Sequence, residues 1–458
     1  MLIKVKNRFS IKIYFFIIKL YIFLIISKDV VLIIIHVLTP GDTIYKLSQK
    51  YNLPIEKIIA DNAISDVTNL PIGQAIVISQ NNSTYTVKKG DTLYKIAQNY
   101  AVSVNQILTS NPSITNPDVI YIGQTLTIPT NSESKLREIS VNGFAFPGTT
   151  SQVLSNILPS LTYISIFSYQ VQDDGSLDSI YDSRVINQAL DSQVAPIMVI
   201  TNTRSGKGFD SDLAHTVLTN SVAQQNLINN MLAILKSKKY KGVNIDFEYI
   251  YQYDKDSYTQ FLKNLASILH PLGYILSTSL APKTSENQSG ILYEAHDYKA
   301  QGEIVDQIIL MTYEWGYTYG PAAPVSPINE VEKVLQYATS VIPSNKIMMG
   351  LPNYGYDWTL PFIKGTAATP LTNIQAVKLA SNVGASIQYD TKTQTPFFEY
   401  VDNNGKNHIV WFDDARSMKA KLELIDKYNL LGVSYWNINT YFPQNWVVLN
   451  SLYNVTKI

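Results

Sequence analysis

The sequence predicts an α/β protein whose main part is a (β/α)8 barrel, with two small βααβ domains ahead of it. Two observations lead to this prediction. From about Glu138 onward, eight short apolar runs alternate with longer helical stretches over roughly 320 residues, which is the spacing of eight βα units. Ahead of them, a segment of about 45 residues occurs twice, and such a repeat marks a separate folding unit.

The composition limits the chemistry that this chain can perform. It has 458 residues, no cysteine, and 36 basic residues against 36 acidic ones. At about 150 residues per domain, this length indicates several domains and a large core. The lack of cysteine excludes disulfides, thiolate zinc sites and cysteine nucleophiles. The zero net charge argues against a protein that binds nucleic acid, because such proteins usually carry a basic footprint.

The first 28 residues differ from the rest of the chain. They hold six basic residues, no acidic residue, and an apolar stretch that Lys19 interrupts. A basic start followed by an apolar stretch is typical of a signal peptide or a membrane anchor. However, Lys12 also breaks the apolar stretch, and no small-residue cleavage site precedes Lys28. An upstream extension of the reading frame is therefore the other open interpretation.

The repeated segment spans residues 36–79 and 85–129. Each copy contains Gly-Asp-Thr followed by an apolar residue, Tyr and Lys, beginning at Gly41 and at Gly90. Further along, Ile-Gly-Gln recurs at Ile72 and Ile122. Glycine suits a tight turn, and Asp or Thr can cap the helix that follows it. Each copy therefore predicts a strand, two helices and a closing strand, at 75–79 in the first copy and 125–128 in the second.

Both copies resemble the LysM domain over their full length. The resemblance implies a βααβ fold that binds glycans containing N-acetylglucosamine, such as peptidoglycan or chitin. In that family the sugar lies between the turn after the first strand and the loop before the second, here 70–73 and 120–123. The residues to which this assigns glycan binding are Gly41, Asp42, Thr43 and Ile44 in the first copy, and Gly90, Asp91, Thr92, Leu93, Ile122 and Gly123 in the second. The alternative is that these residues only form the turns.

The barrel prediction depends on eight apolar runs. They are 139–146, 163–167, 195–200, 242–247, 274–280, 307–313, 347–351 and 432–436. A doubly wound sheet is the alternative, but it more often carries a phosphate-binding glycine loop, and the sequence has no G-x-G-x-x-G or Walker motif. Residues 397–412, which turn at Asn403-Asn404-Gly405, predict a small β-hairpin inserted after the seventh strand.

The fourth run carries the strongest chemical signal. In it, Asn244, Asp246 and Glu248 alternate strictly with apolar residues, so the three polar side chains share one face of a strand. Barrel strands are covered on both faces and usually read as continuous apolar runs. Polar groups on an inward face are costly unless they bind each other or a substrate. Because active sites of such barrels lie at the carboxyl ends of the strands, Glu248 is expected at the mouth.

Residues 241–248, Lys-Gly-Val-Asn-Ile-Asp-Phe-Glu, resemble the D-G-x-D-x-D-x-E signature of glycoside hydrolase family 18. Lys241 and Asn244 replace the first two Asp residues of that signature. Met-Thr-Tyr-Glu at 311–314 is similar to the family's M-x-Y-D, and Trp436 ends the eighth run, where the family has a tryptophan. The resemblance covers 138–458 and is greatest to the LysM-bearing spore cortex-lytic N-acetylglucosaminidases, through residues 350–358 and 408–414.

The resemblance implies a retaining, substrate-assisted mechanism with a specific role for each matched residue. Glu248 would protonate the leaving oxygen, Asp246 would hold the substrate's acetamido N–H, and Tyr313 would donate to the acetamido carbonyl. Asn244 completes the implied catalytic set as the neighbour of Asp246. The implied substrate-binding residues are Trp436, beneath the reacting sugar, together with Met311, Glu314, Tyr354 and Trp315.

The implied protein is a hydrolase of the spore cortex or coat, or of the cell envelope. It would bind wall glycan through its LysM domains and cleave β-1,4 bonds after N-acetylglucosamine in peptidoglycan, as a monomer without a protein partner. A chitinase is one alternative, and a non-catalytic wall-binding lectin is another. Lectins of this fold typically lose the equivalent of Glu248, which this chain keeps. No cofactor and no metal are implied, since the five histidines show no metal-binding spacing.

Overall fold

The computed structural model describes residues 33–51, 53–79, 82–100, 102–111, 113–129 and 135–458. They belong to two compact units: residues 34–79 together with 138–458, and the unit that contains the second small domain. The predicted leader, residues 1–28, lies outside the described residues. Among the helices in the described part, none is both long and apolar enough to span a membrane.

Eight parallel strands form the predicted TIM barrel. They are β1 (Glu138–Ala145), β2 (Tyr163–Gln170), β3 (Ala195–Thr201), β4 (Gly242–Asp246), β5 (Ile275–Leu280), β6 (Gln307–Leu310), β7 (Ile347–Pro352) and β8 (Gly432–Trp436). Each strand pairs with the next, and β8 pairs in parallel with β1, which closes the barrel. A short strand, Asn454–Val455, pairs in parallel with the first two residues of β1. The sequence prediction of a barrel is therefore confirmed.

Helices surround the barrel and cover the outward side chains of its strands. The barrel helices are Ser151–Ile157, Ser183–Asp191, Ser211–Thr219, Ser221–Lys238, Lys255–Leu269, Tyr298–Ile304, Ile328–Val341, Ala415–Lys427 and Pro443–Leu452. On β4 the predicted alternation is observed: Phe247 stacks on Tyr258 and Phe261 of the following helix, with ring centroids 6.1 Å apart in both pairs. The polar residues between the apolar ones consequently point into the barrel.

The insertion between β7 and β8 is larger than the predicted hairpin. The hairpin itself is present as Thr395–Val401 paired with Asn407–Trp411, and Gly405 in its turn has a φ of 79°. It belongs to a five-stranded antiparallel sheet that also contains Thr369–Thr372, Tyr354–Leu360 and Gln388–Asp390. The helix Asn373–Asn382 packs on this sheet through Ala376 and Ala380.

Both small domains have the predicted βααβ order. The first consists of Ile34–Val37, Ile44–Tyr51, Ile55–Asn62 and Ala75–Ile78, with its two strands antiparallel. The second consists of Asn82–Thr86, Leu93–Asn99, Val104–Ser110 and Thr125–Pro129, with the same pairing. Each has its own apolar core, centred on Leu47 and Ile76 in the first and on Ile96 and Leu126 in the second.

Candidate active site

The carboxyl ends of the barrel strands surround a cavity of about 430 Å³. Most of the residues that the sequence assigned to catalysis or substrate binding line it. They are Asp246, Glu248, Met311, Tyr313, Glu314 and Trp436. They lie at the ends of β4, β6 and β8 or just after them. Because these strands are far apart in the sequence, it is the closure of the barrel that brings the residues together.

Asp246 is the innermost carboxyl group of this cavity. It is buried, and its Oδ1 atom has no hydrogen-bond partner among the described residues. Burial raises the pKa of Asp246 to about 7, and the hydrogen bond with Ser279 acts against that rise. An unpaired carboxylate oxygen in a cavity is costly, and a substrate N–H in this position would remove the cost.

Asn244 lies below Asp246 and is fully buried, so it does not line the cavity. Its side-chain amide donates to Ser277 Oγ at 3.1 Å, and its Oδ1 accepts from the Ser279 hydroxyl at 3.1 Å. Ser279 therefore neighbours both Asn244 and Asp246 and can donate its one hydroxyl hydrogen to either of them. Asn244 acts on the site through this serine rather than through a contact with the cavity.

Glu248 follows the end of β4, and its backbone is held on both sides. The Asn202 side chain, which follows β3, accepts from the Glu248 N–H at 2.9 Å and donates to its carbonyl at 2.9 Å. Phe247, one residue before Glu248, is also held: its carbonyl accepts from Nε2 of buried His296 at 3.1 Å. The Nδ1 of His296 accepts from the Ala281 N–H at 2.9 Å. Burial lowers the pKa of His296 to about 4, so the ring is neutral at neutral pH.

The surroundings of the Glu248 carboxyl group favour its protonated form. Burial, with the nearby carboxyl groups of Asp246 and Glu314, raises the pKa of Glu248 well above its usual range. Burial raises the pKa of Asp246 as well, so the two neighbouring carboxyl groups retain protons to a higher pH than exposed carboxyl groups do. Such a pair can supply an acid and an ionised carboxylate side by side.

Trp436 lies on an aromatic base. Phe167, Phe144 and Phe146 contact its ring edge to face, with ring centroids 4.8, 5.5 and 6.1 Å away. These contacts fix the orientation of the indole, so that one face remains available to a ring-shaped ligand. The sequence analysis missed these phenylalanines. Their position at or next to the ends of β1 and β2 is the signal that could have revealed them.

Further lining residues that the sequence analysis missed come from the loops after the strands. They are Phe209, Tyr249, Pro282, Leu292, Tyr293 and Tyr317. Tyr249, directly after Glu248, has a φ of 55°, an uncommon value for a tyrosine. Loop residues carry no periodic signal, which is why the sequence pattern did not distinguish them.

A second cavity of about 480 Å³ adjoins the first and shares Glu314 and Trp436 with it. Its outer wall is the insertion, from which Tyr354, Tyr356 and Gln375 contribute. The Glu314 carboxyl accepts hydrogen bonds from the hydroxyls of Tyr354 and Tyr356. Glu314 and Tyr354 thus join the barrel to the insertion at the edge of the cleft.

Trp315 and Trp358, two tryptophans near this region, do not line either cavity. Trp315 lines neither cavity, although the sequence analysis assigned it to substrate binding. Trp358 is buried and donates to Gly320 O at 3.0 Å. Trp358 packs against Tyr356 within the core of the insertion, which explains its burial.

Residues 149–440 match the model of glycosyl hydrolases family 18, and residues 36–79 and 85–129 each match the LysM domain. The chain belongs to glycosyl hydrolase family 18. It is 40% identical over 422 residues to the cortical fragment-lytic enzyme of Bacillus anthracis, covering 91% of this chain and 97% of that relative.

Two solved structures of spore cortex-lytic enzymes are similar to this family 18 chain. The SleL enzyme of Bacillus megaterium QM B1551 matches with a TM-score of 0.81 and 36% identity, over 93% of this chain and 99% of that one. The SleL enzyme of Bacillus cereus matches with a TM-score of 0.79 and 38% identity, over the same shares of the two chains. These matches agree with a family 18 barrel that carries LysM domains at its N-terminal side.

The departures from the family 18 signature differ in their distance from the cleft. Lys241 is exposed just before β4, at the end of the strand opposite the cavity. Asn244 is two residues from Asp246, and Ser279 neighbours both. Of the two replacements, only that at 244 lies next to the carboxyl groups that line the cavity. In the described part of the chain, no group of three or more His, Asp or Glu side chains is arranged to hold a metal ion.

The turn residues of both LysM domains have structural roles in this family 18 enzyme. Asp42 Oδ2 accepts from the Thr39 N–H at 2.8 Å, and Asp91 Oδ2 accepts from the Lys88 N–H at 2.7 Å. The hydroxyls of Thr43 and Thr92 accept from backbone N–H groups in the following helix. The apolar residues after them, Ile44 and Leu93, are buried in the domain cores, and Gly41 and Gly90 have φ values of 88° and 91°.

Proposed function

We propose that this enzyme cleaves β-1,4 bonds after N-acetylglucosamine in the peptidoglycan of the spore cortex, by a retaining, substrate-assisted mechanism. The observation that carries the proposal is the unpaired, buried Oδ1 of Asp246 beside the raised-pKa carboxyl of Glu248. The acetamido group of the substrate needs an acceptor for its N–H, and the glycosidic oxygen of the leaving sugar needs an acid. The cavity offers both, above the indole of Trp436.

In the first step, Glu248 gives its proton to the glycosidic oxygen while the bond from C1 to that oxygen breaks. The substrate's own acetamido carbonyl oxygen attacks C1 and forms an oxazolinium ring. Asp246 accepts the acetamido N–H and offsets the positive charge that develops on this group. The Tyr313 hydroxyl donates to the acetamido oxygen and aligns it for attack.

In the second step, the ionised Glu248 takes a proton from water, and the water oxygen attacks C1 from the face that the leaving sugar vacated. The bond from C1 to the acetamido oxygen breaks, which restores the acetamido group. Two displacements at C1 give overall retention of configuration. Glu248 regains its proton in this step and is ready for another cycle.

Two considerations support cortex peptidoglycan as the substrate. The relatives from Bacillus anthracis and Bacillus cereus carry the names cortical fragment-lytic enzyme and spore cortex-lytic enzyme, and the chain covers nearly their full length. The two LysM domains provide glycan-binding modules on the same chain. We therefore also propose that the enzyme acts in the spore. A chitinase would share the catalytic set, so substrate preference has to be measured.

The test compares hydrolysis of cortex fragments and chitin by the wild type, Glu248→Gln and Glu314→Gln. We expect the wild type to release fragments with N-acetylglucosamine at the reducing end, first as the β-anomer, and to digest chitin poorly. Loss of the acid should lower kcat by about 10³-fold, whereas Glu314→Gln, the matched carboxyl at the cleft edge, should cost about tenfold or less. Full activity in Glu248→Gln would refute the acid assignment, and preferential digestion of chitin would favour a chitinase.

A further inference from the structure

The two LysM domains have the same fold, but their second loops have different environments. In the second domain, Tyr121 and Ile122 are 69% and 70% exposed, and a Cβ placed on Gly123 would have no atom within 4 Å. In the first domain, the equivalent Pro71 and Gly73 are buried, and Ile72, the equivalent of Ile122, is 45% exposed. A Cβ on Gly73 would lie 1.9 Å from the carbonyl oxygen of Ile387 in the barrel insertion.

Backbone groups of the first domain's loop are bonded to the catalytic domain. The carbonyl of Ile72 accepts from the Ile387 N–H at 2.8 Å, and the carbonyl of Gly73 accepts from Arg416 Nη2 at 3.3 Å. Asn69 contributes at the edge of the same loop, where its carbonyl accepts from the Ser381 hydroxyl at 2.7 Å. A carbonyl bonded inside a buried interface can bind a sugar only if it first gives up that bond.

The last barrel helix reaches into the first domain as well. Gln444 on this helix is buried, and its Nε2 donates to Asn62 Oδ1 at 2.9 Å and to the Ala75 carbonyl at 2.7 Å. Its Oε1 accepts from the Ala415 N–H at 3.2 Å. One side chain thus connects the helix and the closing strand of the LysM domain with the start of another barrel helix.

The sequences of the two loops carry the same difference. In the second domain, the Tyr121 N–H donates to Gln124 Oε1 at 2.9 Å and closes the loop on itself. The first domain has Pro71 at that position, which has no N–H to donate. Gln74 is buried, and its Oε1 has no hydrogen-bond partner among the described residues. Both loops are closed by a backbone hydrogen bond, from Gln74 N–H to Pro71 O at 3.2 Å and from Gln124 N–H to Tyr121 O at 2.9 Å, and only the second adds the side-chain bond.

We infer that the two LysM domains divide their work: the first is a structural part of the catalytic unit, and the second, through its exposed loop at Tyr121 and Ile122, is the domain that captures the wall glycan. This inference rests on the proposed function, because it takes the ligand of the second loop to be a peptidoglycan strand containing N-acetylglucosamine. The exposed aromatic and aliphatic side chains of Tyr121 and Ile122 provide the apolar contact that a sugar ring requires.

The docking of the first LysM domain on the barrel is tested in the full chain with Gly73→Ala and the matched control Gly123→Ala. Both glycines have nearly the same φ, 83° and 84°, so the backbone strain of an alanine is equal and only the collision with Ile387 differs. We expect Gly73→Ala to accelerate hydrogen exchange at the Ile387 amide by about tenfold or more, and Gly123→Ala to leave it unchanged. If Gly73→Ala does not fold, Gln444→Leu removes two interface hydrogen bonds and should give the same acceleration. An unprotected Ile387 amide in the wild type would overturn the docking.

Glycan capture by the second LysM domain is tested by measuring how much protein is retained on insoluble peptidoglycan. All variants carry Glu248→Gln, so that the ligand is not digested. We expect Ile122→Ala to raise the apparent Kd by about fivefold or more, and Ile72→Ala to raise it by less than about twofold. Equal losses, or a larger loss with Ile72→Ala, would overturn the division of work. No retention and no hydrolysis by the wild type would instead refute the proposed function, and the exchange at Ile387 would still decide whether the first domain is docked.

Discussion

At the scale of single residues, Asn244 determines the charge next to Asp246. Asn244 is fully buried and shares Ser279 with Asp246, so an aspartate at 244 would add a second carboxyl group to a site with little solvent. Like charges at such a distance raise each other's pKa values. In the proposed mechanism Asp246 is ionised when it holds the acetamido group, so the charge at 244 should control the acid limb of activity.

We expect Asn244→Asp to move the acid limb of kcat/KM to higher pH, by roughly one pH unit. The measurement is a pH profile on soluble cortex fragments. Asn244→Ser, which stays neutral, is the control and should lower activity without moving the limb. An Asn244→Asp profile that coincides with that of the wild type would show that the residue at 244 does not set the pKa of Asp246.

The buried carboxyl of Asp246 also predicts how stability changes with pH. Its pKa is about 7 in the folded protein, against about 4 in an unfolded chain, so the folded state binds this proton more tightly. Stability from this group is therefore greatest at low pH, falls as the pH rises from about 4 to 7, and is lowest above about 7.

Asp246→Asn removes the buried charge and should stabilise the enzyme at the expense of activity. We expect the free energy of unfolding to rise by on the order of 1 to 4 kcal/mol at about pH 8, and by much less at about pH 4. Denaturant unfolding at both pH values is the measurement. Asp173→Asn is the control, because Asp173 is exposed and paired with Arg204, so its loss should not stabilise. An equal gain at both pH values would assign the effect to packing rather than to charge.

At the scale of elements, strand β7 makes room for the side chain of Tyr313, which follows β6. A Cβ on Gly350 would lie 2.8 Å from Tyr313 Cε1 and 2.4 Å from the Leu310 carbonyl oxygen. Only a glycine allows the tyrosine ring to pass this close to the neighbouring strand. The position of the Tyr313 hydroxyl in the cavity therefore depends on a residue that never touches substrate.

Gly350→Ala should displace Tyr313 and lower kcat by about tenfold or more, with a loss of roughly 1 to 3 kcal/mol in stability. Gly148→Ala, where a Cβ meets no atom within 4 Å, is the matched control and should be nearly silent. Tyr313→Phe completes the comparison, since it removes only the hydroxyl. If Tyr313→Phe keeps full activity, Tyr313 is a packing residue and Gly350→Ala should affect stability alone.

At this scale, the features that local patterns encode were predictable from the sequence, and the contacts between distant elements were not. The eight strands and the alternation on β4 follow from local patterns, so the barrel and the carboxyl pair were predictable. Asn202, which holds Glu248, is adjacent to it only because β3 and β4 pair, and no local pattern encodes that contact. The five-stranded insertion was underestimated because several of its strands are short and carry no clean alternation.

At the scale of the whole molecule, the repeat predicted two equivalent binding modules, and the inferred division of work gives them different roles. The motif of each LysM domain is local and could be recognised, whereas the docking of the first depends on Ile387 and Gln444, more than 300 residues away. A repeat in sequence therefore establishes a repeated fold but not a repeated role. The environment that surrounds each copy decides which of its surfaces remain available.

The charge of the whole molecule predicts how it holds the wall. The zero net charge combines a +6 leader with a −6 remainder, and within that remainder the LysM pair is neutral. Without a basic excess, binding to an anionic wall must depend on hydrogen bonds and stacking, which salt screens only weakly. We expect the apparent Kd for peptidoglycan to change by less than about twofold between roughly 50 and 500 mM salt. Ile122→Ala, measured in parallel, should weaken binding by the same factor at both concentrations, and a steep salt dependence of the wild type would contradict this mode of binding.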